Sequence, residues 1–112
     1  MTSVIIYGAG NAGAQLAFSL LRSGSYSILL FVDDDPNLWG MDINGIKIQP
    51  PSFLLKNVNQ VDQVLMAIPS VSRSRRRSIV LKIEKLGIPL LQIPSIENIT
   101  SGKYKIDYLQ SI

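Results

Sequence analysis

Val4-Ile5-Ile6-Tyr7 runs directly into Gly8-Ala9-Gly10-Asn11-Ala12-Gly13. The four apolar residues read as a strand buried on both faces, and the next six as a G-x-G-x-x-G turn that opens a helix. Working outward, Asn11 to Arg22 carries Leu16, Ala17, Leu20 and Leu21 at helical spacing, so these four are expected to face a sheet. Gly24 ends that helix. Ile28 to Val32 is a second continuous apolar run, and it leads into Asp33-Asp34-Asp35. Asp33 stands 20 residues beyond Gly13. Strand, glycine turn, helix, strand and acid match the dinucleotide-binding fingerprint in each part.

Each residue of the fingerprint has a physical task. Gly8 lets the chain leave the strand in a tight turn. Gly10 has no Cβ, so a pyrophosphate can approach the backbone. Gly13 lets the helix pack close to the strand. The first amides of the helix lack intrahelical acceptors, and the helix dipole adds roughly half a positive charge there. An acid at the end of the second strand can accept both hydroxyl hydrogen bonds of an adenosine ribose and repels the extra phosphate of NADP. No basic residue lies near Asp33 in the sequence, so NAD is the expected ligand. A glycine turn in the same fold can also bind nothing. The flanking strand, helix and acid favour the nucleotide site.

Further along, Pro36 stops the second strand and Asn44-Gly45 marks a turn before a short third strand at Ile46-Lys47-Ile48. A short helix is expected near Ser52 to Lys56. Val64 to Ile68 is the fourth strand, broken by Pro69. Ser70 or Ser72 caps the next helix, which runs to about Leu86 with Ile79, Val80, Ile83 and Leu86 on one face. Gly87 is its C-cap, and Leu90 to Ile93 is the fifth strand. The tail gives weaker signals: a helical turn at Ile96 to Ile99 and a strand near Tyr104 to Ile106. Alternating strands and helices imply a three-layer α/β Rossmann-like domain over residues 1–112. Its parallel sheet should have about five strands in the order 3-2-1-4-5. The switch point then lies between strands one and four. The ligand crevice is lined there by Gly8, Gly10, Asn11, Ala12 and Gly13, by Asp33 and Asp34, and by Ile68, Pro69 and Ser70.

Composition narrows the chemistry. The 112 residues suit one domain, and 46% of them are hydrophobic. There is no cysteine and no histidine, which removes disulfides, thiolate nucleophiles, imidazole bases and zinc-finger chemistry. No apolar run approaches the roughly 20 residues that span a bilayer, and no signal-type segment opens the chain, so a soluble cytoplasmic location is expected. The net charge of +3 is modest. No basic surface interleaved with aromatics accompanies it, so no nucleic-acid partner is expected.

Three further stretches carry a family resemblance. They are Phe31-Val32-Asp33-Asp34-Asp35-Pro36, then Ala67-Ile68-Pro69-Ser70-Val71-Ser72-Arg73 with Arg75-Arg76-Arg77, then Pro94-Ser95 with Ser101-Gly102-Lys103. Together they resemble the N-terminal Rossmann-like (NAD/CoA-binding-like) domain of bacterial polysaccharide-biosynthesis nucleotide-sugar epimerase/dehydratases. That family includes UDP-N-acetylglucosamine 4,6-dehydratases and UDP-D-quinovosamine 4-dehydrogenases. The resemblance implies a longer protein at the cytoplasmic face of the inner membrane. It also implies membrane helices, a second catalytic domain with its own NAD site and a Tyr or Met followed by Lys, and homo-oligomers. No tyrosine here has a lysine at the fourth position, so no such dyad is present. The segment Val4 to Gly45 is also similar to the N-terminal domain of sugar acyltransferases, where the crevice holds the UDP part of a nucleotide sugar. A regulatory or assembly module that binds a nucleotide or a UDP-sugar is therefore the second reading.

The arginines at the start of the second long helix form the last candidate. Arg76 lies one turn before Ile79 and Val80, on the stripe that faces the sheet. From there it could reach a phosphate of the ligand, or an acid on a neighbouring domain. Arg73 and Arg75 fall at the stripe's edges and Arg77 points away. The competing reading is a basic helix start in solvent. Arginines there oppose the helix dipole, which marks the cluster as a local rule broken.

Overall fold

The computed structural model describes residues 1–93 and 109–112. Strand β1 (Thr2–Tyr7) leads through the glycine turn into helix α1 (Asn11–Ser23) and strand β2 (Tyr26–Val32). A short 3-10 turn (Pro36–Leu38) precedes a hairpin of β3 (Asp42–Ile43) and β4 (Ile46–Gln49). Then come α2 (Phe53–Lys56), β5 (Gln63–Met66), α3 (Arg73–Lys85), β6 (Leu90–Gln92) and β7 (Gln110–Ser111). The expected helical turn at Ile96 to Ile99 and strand at Tyr104 to Ile106 lie outside the described residues.

The sheet runs β3-β4-β2-β1-β5-β6-β7. Its five central strands are parallel, in the order expected, with the antiparallel pairs β3–β4 and β6–β7 added at the two edges. Asn44 and Gly45 both have positive φ, which is the geometry a two-residue hairpin between β3 and β4 demands. Because helices cover both faces, the innermost strands β1 and β5 present apolar residues to both sides: Val4, Ile5, Ile6, Val64, Leu65 and Met66 are all fully buried.

One core lies under α1, where Leu16, Ala17 and Leu20 pack on Val4, Ile6, Phe31 and Leu65. The other lies under α2 and α3, where Leu54, Ile79 and Ile83 pack on Ile5, Tyr7, Val32 and Val64. Val80 and Leu86 border this second core half-buried. Leu21 differs from the expectation. It is 47% exposed, at the border of a buried stripe that runs through Ala12, Gly13, Leu16, Ala17 and Leu20. A bulge explains another exposed leucine. The register of β1 on β2 jumps from Val4–Ile28 to Ile5–Leu30, so Leu29 has no partner in β1 and turns outward.

Candidate functional site

The C-terminal ends of β1, β2 and β5 meet at the switch point and are tied to one another there. The Gly8 N–H donates to Val32 O and the Ala67 N–H to Tyr7 O, both at 2.8 Å. Gly8 turns the chain with φ of 117°, and a Cβ on it would stand 2.5 Å from Ala67 O. Gly13 is equally constrained, since a Cβ there would overlap Gly8 O in the turn. Both glycines are therefore required by the protein's own packing.

Gly10 is different. Its φ of −83° and ψ of −159° suit any residue, and a Cβ built on it meets nothing within 4 Å. It occupies the N-cap of α1, and no side chain caps that helix. Asn11 follows it exposed, and Ala12 and Gly13 are buried beneath the turn. The start of α1 is thus an open, uncapped concentration of helix dipole, with clear space above Gly10.

Asp33 and Asp34 diverge as successive residues of an extended chain must. Asp33 turns toward the glycine turn. Its Oδ2 accepts from the Ala9 N–H at 2.7 Å and its Oδ1 from the Asp35 N–H at 2.9 Å. Its backbone N–H donates to Gln49 O, and its carbonyl accepts from the Trp39 indole N–H at 2.8 Å. Asp34 turns the other way, toward α3. Its Oδ1 accepts from the Tyr7 hydroxyl at 2.6 Å, and its Oδ2 pairs with the Arg75 guanidinium at 2.8 Å. Burial pushes the Asp34 carboxyl up, but the Tyr7 and Arg75 hydrogen bonds outweigh it and hold the group below its ordinary value. Burial, reinforced by the Asp34 hydrogen bond, drives the Tyr7 phenol well above the usual range. Arg75, in turn, is raised by its own hydrogen bond to Asp34.

No basic residue lies near Asp33 in the sequence, and the fold brings one to its neighbour Asp34. Arg75 reaches Asp34 from α3, on the face opposite to the Asp33 carboxylate. The parallel register carried the missing signal. Tyr7 lies beside Val32 in the sheet, and Asp34 is two residues further on the same face.

The loop after β5 completes the crevice rim. Ile68 and Pro69 are half-buried and Ser70 is exposed. The Val71 N–H closes a turn onto Ile68 O. Of the two cap candidates, Ser72 caps α3, accepting from the Arg75 N–H at 3.2 Å. Arg76 does face inward, half-buried, while Arg73, Arg75 and Arg77 are exposed. Two of its N–H groups are used within the fold, donating to Gln92 Oε1 at 2.5 Å and to Ile68 O at 3.2 Å. Arg76 therefore braces the Ile68 loop against β6. Among the described residues, no group of His, Cys, Asp and Glu is arranged to hold a metal ion. No helix among them is long and apolar enough to cross a membrane.

Residues 1–102 match the CoA binding domain family. The chain is 30% identical over 120 residues to the capsular polysaccharide biosynthesis protein CapD of Staphylococcus aureus. That alignment covers 98% of the chain but only 19% of the relative, so the chain spans about a fifth of that protein's length. Among solved structures, UDP-D-quinovosamine 4-dehydrogenase from Vibrio fischeri superposes with a TM-score of 0.88 at 34% identity, covering 99% of this chain and 93% of that one. RSP, a Rex-family repressor solved with β-NADH, shares the fold at 17% identity and a TM-score of 0.72, over 94% of this chain and 52% of its own. The resemblance to the bacterial nucleotide-sugar dehydratases and dehydrogenases thus extends over the whole chain. With its doubly wound sheet, its glycine turn at the switch point and this match, the chain belongs to the CoA-binding domain family as a Rossmann-like nucleotide-binding domain.

Proposed function

We propose that the crevice binds an ADP-containing dinucleotide, NAD, for a nucleotide-sugar dehydrogenase or dehydratase of bacterial polysaccharide synthesis. Gly10 carries the reading. It is the glycine of the turn for which the fold has no internal use, and its missing side chain leaves room over a bare helix start, where a pyrophosphate fits. The amides of Gly10, Asn11 and Ala12 would face the phosphates. Asp33 would accept the ribose hydroxyls through the second lone pairs of its oxygens. Asp34 and Arg76 would act one step back, steadying the end of β2 and the Ile68–Ser70 rim. The Asp33 carboxylate disfavours a phosphorylated ribose, so NAD should outbind both NADP and coenzyme A.

Calorimetric titration with NAD, NADP, coenzyme A and UDP-N-acetylglucosamine tests the assignment. NAD is expected to bind tightest, and Gly10→Val should abolish that binding while leaving the domain folded. Tighter binding of NADP or coenzyme A would overturn the choice of ligand.

The domain holds its nucleotide without converting it. The Tyr7 phenol is driven away from proton transfer by burial and by Asp34, and Asp34 is itself engaged by Arg75. In this reading residues 1–112 form one domain of a longer cytoplasmic protein, at the inner face of the membrane and homo-oligomeric, whose catalytic domain supplies the base. A purely regulatory or assembly role for the bound nucleotide or UDP-sugar is the second reading, favoured by the same engaged Tyr7. Incubation of the domain with NAD and UDP-sugars should give no absorbance at 340 nm, and steady NADH production would refute both readings of the domain as non-catalytic.

A further inference from the structure

We propose that Trp39 is the stacking platform for the base of the bound nucleotide and sets the preference of the crevice for adenine over uracil. The inference rests on the nucleotide reading above and names a residue outside the glycine fingerprint.

The indole is held in place from several sides. Its N–H donates to the carbonyl of Asp33 at 2.8 Å, so its one polar atom is satisfied. The loop behind it is rigidly built. The Asp35 carboxylate caps the turn by accepting from the Asn37 N–H, and Pro36 sets its first φ. Leu38 packs into the core under α1. The Trp39 N–H donates to Pro36 O, and the Gly40 N–H to Ile48 O. Yet the residue held this firmly is 41% exposed, and its neighbour Met41 is 55% exposed. A tryptophan that served only to lock the loop would gain most by burying its ring faces. This one keeps apolar ring surface in solvent.

Its position gives that surface a use. The indole edge is pinned to the residue whose carboxylate reaches the Ala9 N–H in the glycine turn. A nucleotide with its pyrophosphate over Gly10 and its ribose hydroxyls on Asp33 carries its base one sugar ring further out, on the Trp39 side of Asp33. A two-ring purine covers more of an indole than a single-ring pyrimidine does, so adenine gains more from the platform than uracil. Asp33 thus serves both the ribose, through its side chain, and the base, through the carbonyl that fixes Trp39.

Trp39 is the only tryptophan in the chain, so its emission reports on this site alone. The intact protein is titrated with ADP, NAD, coenzyme A and UDP-N-acetylglucosamine, followed in parallel by fluorescence and by calorimetry. The adenine ligands should quench the emission and the uridine ligand should not. Trp39→Ala should weaken ADP binding by roughly 5- to 100-fold, the span of one base stacked on an aromatic ring. Trp39→Phe keeps an aromatic face while losing the bond to Asp33, and should retain most of the affinity. Calorimetric binding of ADP with no quench overturns the platform and leaves the nucleotide reading standing. Equal losses for ADP and UDP-N-acetylglucosamine in Trp39→Ala, which would mark a loop anchor, do the same. If no nucleotide binds, both inferences fall. The wild-type quench requires no variant, so it decides the question even if Trp39→Ala fails to fold.

Discussion

The two long helices begin in opposite ways. Helix α1 starts on Gly10, with no side-chain cap, no acidic residue in its first turn and open space above it. Helix α3 starts on Ser72, which caps it, and two of the arginines in its first turn are engaged within the fold. Arg75 pairs with Asp34, and Arg76 with Gln92 and the Ile68 carbonyl. Both starts lie at the C-terminal ends of adjacent central strands, β1 and β5. The difference separates a helix end kept vacant for an anion from one closed by the protein's own groups. It also separates two kinds of glycine in one motif: Gly8 and Gly13, which the fold requires, and Gly10, which it does not.

Substitutions can break or sharpen this contrast. The largest effect is expected at Gly13. Gly13→Ala drives a Cβ into the Gly8 carbonyl, and backbone cannot move aside as a flexible side chain can. A loss of about 3 kcal/mol is expected, at the upper end for overpacking, measured by urea unfolding. A variant as stable as the wild type would show that α1 does not depend on its close seat.

Gly10→Ser is next, and it should act in two directions. The backbone already has the extended geometry of a capping serine, so stability should rise by about 0.5 kcal/mol. Nucleotide affinity should fall by at least about tenfold, because the new side chain occupies the phosphate approach. A melting temperature and a titration on the same sample check both signs. Unchanged affinity would mean that the space above Gly10 is not used.

Tyr7→Phe removes the hydroxyl bond to Asp34 and should cost about 1 kcal/mol near neutral pH. The pH dependence has a definite sign. The folded phenol is raised above its ordinary value of 10.0, so folding holds a proton that the unfolded chain loses above that pH. The contribution is complete below pH 10 and declines as pH rises toward the folded value. Unfolding curves from pH 9 to 11 should show wild-type stability falling more steeply than that of Tyr7→Phe. Asp34 behaves oppositely. Its folded value lies below 3.8, so its contribution is present above that pH and disappears in stronger acid.

The smallest effect is expected at Arg75. Its pair with Asp34 has both side chains about 40% exposed, at 43% and 40%, so solvent screening leaves about 0.5 kcal/mol or less. Arg75→Ala should still exceed Arg77→Ala, since among the described residues only the first breaks an ion pair. The two should differ in thermal melts at low salt and merge at high salt.

The arrangement of the central sheet was legible because its causes are local. Unbroken apolar runs at Val4–Tyr7, Ile28–Val32 and Val64–Ile68 mark parallel strands, and Gly24 and Gly87 take the positive φ that helix ends favour. The edges were not legible: β3 and β7 are two residues each, and two residues carry no period. Leu21 was misjudged by position on the wheel, because only the depth of α1 against the sheet decides what lies at the stripe's border. At the site, Gly8, Gly10, Gly13 and Asp33 announced themselves by spacing. The Tyr7–Asp34–Arg75 link required strand register and a contact across 41 residues, which no local window contains. The inward face of Arg76 followed from helical periodicity, but its partners did not. Gln92 and the Ile68 carbonyl come from two other elements.

The edge strands have a consequence for behaviour in solution. An open parallel sheet ends in rows of unpaired amides and carbonyls, which invite another chain to add itself as a further strand and so begin aggregation. Here each margin carries a short antiparallel strand, β3 outside β4 and β7 outside β6, and each is two residues long. Such stubs offer too little ladder to template a neighbour, and the Asn44-Gly45 hairpin turns the chain back at one of them. A domain finished in this way can be produced and linked to other domains at high local concentration without its sheets merging.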